Sequence, residues 1–399
     1  MKILWVAPSF LHPTIGGGPI RTLGILRRLS ERHEIHYVTF ADPAQPEGPA
    51  RAGEYSFRAY PLPRSVVHQR SNRFVPQLTG LFSRVPAAIL RYRSPELKRL
   101  VEDLLCQERF DRVVVDFLCM AGCCPHAERT VLFEHNVETM IWRGQSEHAR
   151  SALNRLYFRH EANLMFAYER AACRAAGSVI AVSAQDAGLI RTMFGVEHVS
   201  DIPTGVDAEY LAPPASSPHV ADLVFVGLMD WLANEDGVLY FLERILPQIR
   251  RRRPQCTFAI VGRTPPPEIL GWAQKDSRVL VTGTVADVRP YLWGASVSVV
   301  PLRIGSGTRI KIYEAMAAGT PVVSTTVGAE GLEVNPGQDI CIADDPARFA
   351  AHCLELLEDG ERRSRIAAAA RRLVTARFSW EQVARCMERA LESAPAACE

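Results

Sequence analysis

Apolar residues along this chain follow two alternating rhythms. Short, mainly apolar runs of strand length fall at Lys2–Ala7, Glu34–Phe40, Asp111–Asp116, Thr130–Phe133 and Gly177–Val182, and Val199–Pro203 leads on toward a Pro- and Ser-rich segment. Between them the apolar spacing turns helical. Leu23, Leu26 and Leu29 form one stripe, Ser94–Gln107 another, and Ser151–Ala176 carries Leu153, Leu156, Leu164 and Phe166. Ser183 is placed to cap a further helix. Buried strands alternating with amphipathic helices predict a parallel sheet covered on both faces. The stretch 41–87 breaks this pattern with prolines, arginines and polar residues, and reads as a long, partly ordered excursion.

The same order then repeats. Strands are predicted at Ala221–Val226, Cys256–Val261, Arg278–Thr282, Val297–Pro301 and from Pro321. Helices are predicted at Asn234–Arg251, within Pro265–Lys275, at Asp287–Ala295 and at Thr308–Ala318. Three more follow, Ala347–Gly360, Gly360–Arg377 and Glu381–Glu392. Pro213, Pro214, Ser216, Ser217 and Pro218 make the clearest linker. The expected fold class is α/β, with two Rossmann-like doubly wound parallel-sheet domains facing a cleft. The first spans 1–207, the linker 208–218 and the second 219–377, with a last helix in 378–399 able to cross back to the first domain.

A total of 399 residues suits two domains, and 46 basic against 44 acidic residues leave no global field that would favour nucleic acid. The first ten residues hold too short an apolar run for a signal peptide, and no stretch is long enough to span a membrane. Ten cysteines in helical or apolar surroundings suit a reducing cytoplasm. Cys119, Cys123, Cys124 and His126 match no metal-ligand spacing.

Candidate chemistry concentrates in the segment Pro301–Thr325. Gly305, Ser306, Gly307 and Thr308 form a glycine loop after a buried strand, feeding a helix stopped at Gly319. Such a loop presents free N–H groups and the positive end of the helix dipole to an anion. Arg309 lies at the helix start, and Lys311 and Glu314 share one face. A carboxylate beside an anion site suits hydroxyls such as those of a ribose, so the segment reads as a nucleoside-diphosphate site. In the first half, Gly16, Gly17 and Gly18 follow the first strand without a GxGxxG fingerprint, and His135 follows a strand end, where ligands of such sheets bind.

Several strings together resemble the retaining glycosyltransferase family 4 of the GT-B fold: Ile202–Asp207, Val224–Gly227, Ala259–Gly262, Val281–Val285 and Tyr313–Ser324. The branch with Gly-Ser-Gly-Thr-Arg-x-Lys resembles enzymes of bacterial exopolysaccharide assembly. The resemblance implies a nucleotide-sugar donor, and a glycan or lipid-linked acceptor. It places Gly17 and Gly18 in the loop over the donor and His135 near the donor sugar. Glu314 falls on the ribose, with Gly227, Gly262 and Glu330 among the donor-binding positions. Two departures stand out. The family's first glutamate, eight residues before Glu314, is replaced by Ser306. The basic pair usual after the first strand of the second domain is missing from Gly227–Asn234. Arg309 and Lys311 are then the nearest sources of charge for the departing diphosphate. With no Asp-x-Asp in the chain, no metal is expected there, and no other cofactor.

The resemblance also implies retaining transfer without a covalent nucleophile. A sugar-nucleotide epimerase of the same fold and a non-catalytic assembly partner remain open as alternatives. Arginines between Arg58 and Arg99, interleaved with Phe74, Leu78, Leu81 and Phe82, suggest peripheral contact with the anionic cytoplasmic membrane face.

Overall fold

The computed structural model describes residues 1–14, 16–63, 85–147, 149, 151–304 and 310–397. It divides into two units, Met1–Thr204 with Trp380–Glu399, and Gly205–Ser379.

The first unit is built on seven parallel strands: β1 (Lys2–Ala7), β2 (Glu34–Ala41), β3 (Arg58–Pro63), β4 (Arg112–Asp116), β5 (Thr130–Phe133), β6 (Ser178–Ala181) and β7 (Val199–Asp201). Their order across the sheet is β3-β2-β1-β4-β5-β6-β7. The chain reverses its direction of winding between β1 and β4, where Ile3 pairs with Arg112 and Val6 with Val115. The longer helices are α1 (Gly17–Leu29), α2 (Pro95–Gln107), α3 (Glu138–Glu147), α4 (Ala152–Ala175) and α5 (Ala184–Phe194). Ser94, Ser151 and Ser183 cap α2, α4 and α5 by accepting a backbone N–H three residues on. Such caps contribute about 1 kcal/mol each.

β3 lies inside the stretch expected to be an excursion. Its sequence, RAYPLP, holds two prolines that cannot donate to a ladder, which suits only the edge position it occupies beside β2. α3 was likewise not anticipated. Its mixed sequence has only Thr139 fully buried, so it shows no clean apolar stripe.

In the second unit, β8 (Ala221–Val226), β9 (Phe258–Val261), β10 (Val279–Val281), β11 (Ala295–Val300), β12 (Val322–Ser324) and β13 (Cys341–Ile342) form a parallel sheet ordered β10-β9-β8-β11-β12-β13. Here winding reverses between β8 and β11. The next helix, α6, runs from Leu232–Tyr240 through a π turn at Phe241–Ile245 into Leu246–Arg252. The pattern had predicted an even helix. Pro247 explains the turn, because it has no N–H for the preceding turn and its ring crowds that carbonyl. Then come α7 (Pro267–Lys275), α8 (Arg289–Trp293), α9 (Ile310–Ala317), α10 (Pro346–Glu358) and α11 (Gly360–Arg377). The stretch expected as a linker, 208–218, falls within this unit and is fastened to it. Leu211 is buried, its carbonyl accepts from Trp293 Nε1 at 2.9 Å, and the Arg289 guanidinium lies 3.9 Å from the Tyr210 ring centre.

The last helix, α12 (Trp380–Ser393), groups with the first unit. Val383, Ala384, Met387 and Leu391 join the apolar layer containing Ile25, Leu26 and Leu29 of α1. Gly24 makes this possible, since a Cβ there would lie 2.3 Å from the Trp380 ring.

Candidate functional site

Parallel doubly wound sheets offer their ligand sites beyond the strand C-termini where winding reverses. In the second unit this edge carries the ends of β8 and β11, and α9 follows β11. Lys311, in the first turn of α9, donates from Nζ to Asn234 Oδ1 at 2.6 Å. Asn234 in turn donates to the Leu228 carbonyl at 2.7 Å, and the Lys311 ammonium sits 4.3 Å from the Phe225 ring centre. A Cβ on Gly227 would lie 2.7 Å from Lys311 Nζ. Glycine at 227 therefore makes room for the lysine. No basic residue occurs in Gly227–Asn234, and Lys311 brings a cation to this segment from α9 instead.

Glu314, one turn beyond Lys311, is half-buried. Burial raises its carboxyl above the usual range, and the Lys311 ammonium offsets part of that. Glu330 lies in the turns after β12, on the same edge of the sheet. Gly305, Ser306, Gly307, Thr308 and Arg309 lie outside the described residues.

Gly262 closes β9 against the end of β8. Gly227 N–H donates to the Val261 carbonyl at 2.9 Å and Met229 N–H to the Arg263 carbonyl at 3.1 Å. A Cβ on Gly262 would stand 1.7 Å from the Gly227 oxygen, a distance no side chain can occupy. The two strand-end loops thus run back to back. Arg263, which carries no motif of its own, donates from Nη2 to Asp230 Oδ2 at 3.4 Å.

The first unit assembles a different constellation at its own reversal point. Gly17 and Gly18 open α1, and Arg21 follows one turn later. His135 is 3% exposed and both its ring nitrogens are engaged. Arg21 Nη1 donates to Nδ1 at 3.1 Å, so Nε2 carries the proton donated to Asp116 Oδ1 at 2.6 Å. The other Asp116 oxygen accepts from Trp5 Nε1 and Thr22 Oγ1 at 3.1 and 2.9 Å. Arg21 Nη2 donates to Thr204 Oγ1 at 2.6 Å. Burial and the Arg21 charge depress the imidazole against the opposing pull of Asp116, which keeps His135 neutral. Burial lowers Arg21 to about 10, which leaves it charged at neutral pH.

The Phe117 ring stacks on His135 with centres 3.9 Å apart and planes 11° apart. Its backbone adopts φ 73°, a conformation unfavourable for a bulky residue. Gly18 accommodates it, since a Cβ there would lie 2.4 Å from the ring. Arg21, Asp116, Phe117, Thr204 and Asn234 were missed in the sequence. The one available signal was position, because Asp116 ends a strand and Phe117 follows it.

Of the arginine-rich tract, residues 64–84 lie outside the described residues. Among the described residues no helix is long and apolar enough to cross a membrane, and no group of His, Cys, Asp or Glu is arranged to hold a metal.

A family described as glycosyltransferase family 4 matches residues 15–210, and one described as glycosyl transferases group 1 matches residues 221–359. The glycogen synthase of Mycobacterium tuberculosis is 30% identical over 223 residues, 53% of this chain and 53% of that protein. The chain thus spans about half the length of that relative. An uncharacterized 44.6 kDa protein in the cps region of Klebsiella pneumoniae is 21% identical over 271 residues, 66% of this chain and 67% of that one. The crystal structure of Anabaena HepE in complex with UDP-glucose shares the fold, with TM-score 0.66 and 17% identity over 98% of this chain and 100% of that chain. With matches to both halves and this two-sheet fold, the chain belongs to the group 1 glycosyltransferases of the GT-B fold.

Proposed function

We propose that this protein transfers a sugar, with retention of configuration, from a uridine-diphosphate sugar to a glycan or lipid-linked acceptor in bacterial surface polysaccharide synthesis. The observation that carries the donor half is the placement of Lys311. Its ammonium is held on Asn234 against Gly227, at the strand edge where this fold binds ligands, and Glu314 lies one turn away. Lys311 then stabilises the diphosphate as it leaves, and Glu314 accepts from the ribose hydroxyls. The UDP-glucose bound by the Anabaena neighbour supports the uridine choice, and the cps region of the Klebsiella relative supports the polysaccharide setting.

In this reading the acceptor hydroxyl attacks the anomeric carbon from the face the diphosphate leaves, and the departing phosphate oxygen takes the hydroxyl proton. The protein contributes orientation and fixed charge. His135 serves as a neutral wall near the donor sugar, held by Arg21 and Asp116. The diphosphate charge is met by side chains and the start of α9, so activity should survive chelation.

Peripheral membrane contact belongs to the same proposal. Leu153 and Leu156, 77% and 56% exposed near the start of α4 beside Arg155 and Arg159, support it. Replacing both leucines by Ser should release the protein from anionic vesicles. Equal co-sedimentation would remove this face from the account.

The test of function is release of UDP from UDP-glucose and other UDP-sugars in EDTA, with and without lipid-linked acceptor. The product linkage is then read by NMR. Acceptor-dependent UDP release with an unchanged anomeric configuration is expected. Conversion of the donor without any acceptor would favour epimerisation and overturn the proposal.

A further inference from the structure

We propose that Arg263 supplies the second cation of the donor diphosphate, from the loop after β9. The inference rests on the donor-site reading above and adds a residue to it. A nucleoside diphosphate is multiply charged, and the β8–α6 segment that faces it has no basic residue of its own. Lys311 provides one positive charge there.

Arg263 is held at the same place by backbone rather than by its side chain. Gly227 touches the Lys311 head group on one side and Gly262 on the other, as the positions of the missing Cβ atoms show. Arg263 stands one residue beyond Gly262, about 3.8 Å along the chain. Its carbonyl is tied to Met229 N–H at 3.1 Å. The loop therefore cannot move its arginine away without breaking the β8–β9 contact.

The guanidinium itself is under-used. Nε is buried with no acceptor among the described residues, and Nη2 reaches Asp230 only at 3.4 Å, with both side chains substantially exposed. A buried N–H without a partner is costly, and a phosphate oxygen is an acceptor that would satisfy it. An exposed ion pair of this length contributes little, so releasing Asp230 to a phosphate costs little. Guanidinium is suited to phosphate because its N–H groups match two oxygens at once. Asp230 in this account holds the arginine in reserve and competes with the donor.

The experiment is calorimetric titration of UDP, UMP and uridine into the full-length wild type, Arg263→Ala, Arg263→Lys and Asp230→Asn. If wild type binds none of the three, the donor-site reading itself fails. If it binds UDP, Arg263→Ala should weaken UDP at least tenfold while changing uridine little, with Arg263→Lys intermediate. Equal losses for UDP and uridine, or unchanged UDP affinity, would overturn the inference. Should Arg263→Ala not fold, Asp230→Asn decides. It removes the competitor, so UDP must bind more tightly relative to uridine, and an unchanged ratio contradicts the assignment.

Discussion

Lys311 Nζ lies 2.6 Å from Asn234 Oδ1, and Asn234 is anchored in turn on the Leu228 carbonyl. Two elements 77 positions apart in sequence therefore fix one cation at the end of β8. The arrangement gives Asn234 a role that its own chemistry would not suggest. It aims the lysine. Asn234→Ala should leave Lys311 charged but loosely placed. UDP affinity should fall roughly 3- to 10-fold, the worth of one hydrogen bond, with only a small loss of stability. Titration of UDP into the variant checks this, and undiminished affinity would show that Lys311 needs no such guide.

Gly262→Ala addresses the back-to-back loops. The new methyl would lie 1.7 Å from a backbone oxygen, which no rotamer change relieves. Separation of the β8 and β9 ends should cost about 2–3 kcal/mol or more and abolish UDP binding together. Thermal unfolding with and without UDP reads both effects.

Asp116→Asn tests the polar chain of the first unit. Asp116 accepts from His135, Trp5 and Thr22, and an amide cannot accept at both ends. Arg21 already donates to the far nitrogen of His135, so the ring cannot switch tautomer to compensate. One buried donor is left unpaired. A loss of about 1–3 kcal/mol in denaturant unfolding is expected, with a larger fractional loss of transfer rate.

Glu134 makes stability depend on pH. It is 2% exposed, Cys173 Sγ donates to its Oε1 at 3.9 Å, and Glu169, Glu138 and Asp186 all act on it with the same sign. Burial first, then these carboxylates, raises its carboxyl well above the ordinary 4.5. A raised folded-state value means that the folded protein keeps a proton the unfolded chain releases. The contribution is present in full below about 4.5 and lost as pH rises through the folded value. Glu134→Gln should therefore stabilise the protein relative to wild type increasingly from pH 5 to pH 8. A constant difference across that range would contradict the assignment.

Much of the fold was legible because buried parallel strands announce themselves as short apolar runs. Val113–Val115 and Val131–Phe133 have no polar residue to interrupt them. β3 escaped because an edge strand tolerates Pro61 and Pro63, and the π turn escaped because one proline acts locally inside a good helical pattern. The candidate site divides in the same way. Lys311 and Glu314 are three residues apart on one helix, so periodicity alone joins them. Arg21, Asp116, His135 and Thr204 come together only through the sheet, from four separate segments. Arg263 became visible once Gly262 was seen pressed against Gly227.

The central claim is that Lys311 holds the diphosphate of a UDP-sugar. The most direct measurement is titration of UDP into wild type and Lys311→Ala in EDTA. Wild type should bind UDP, and the variant should bind it at least tenfold more weakly, as loss of a charge-assisted contact requires. Equal affinity in the two proteins, or no binding of UDP by either, would contradict it.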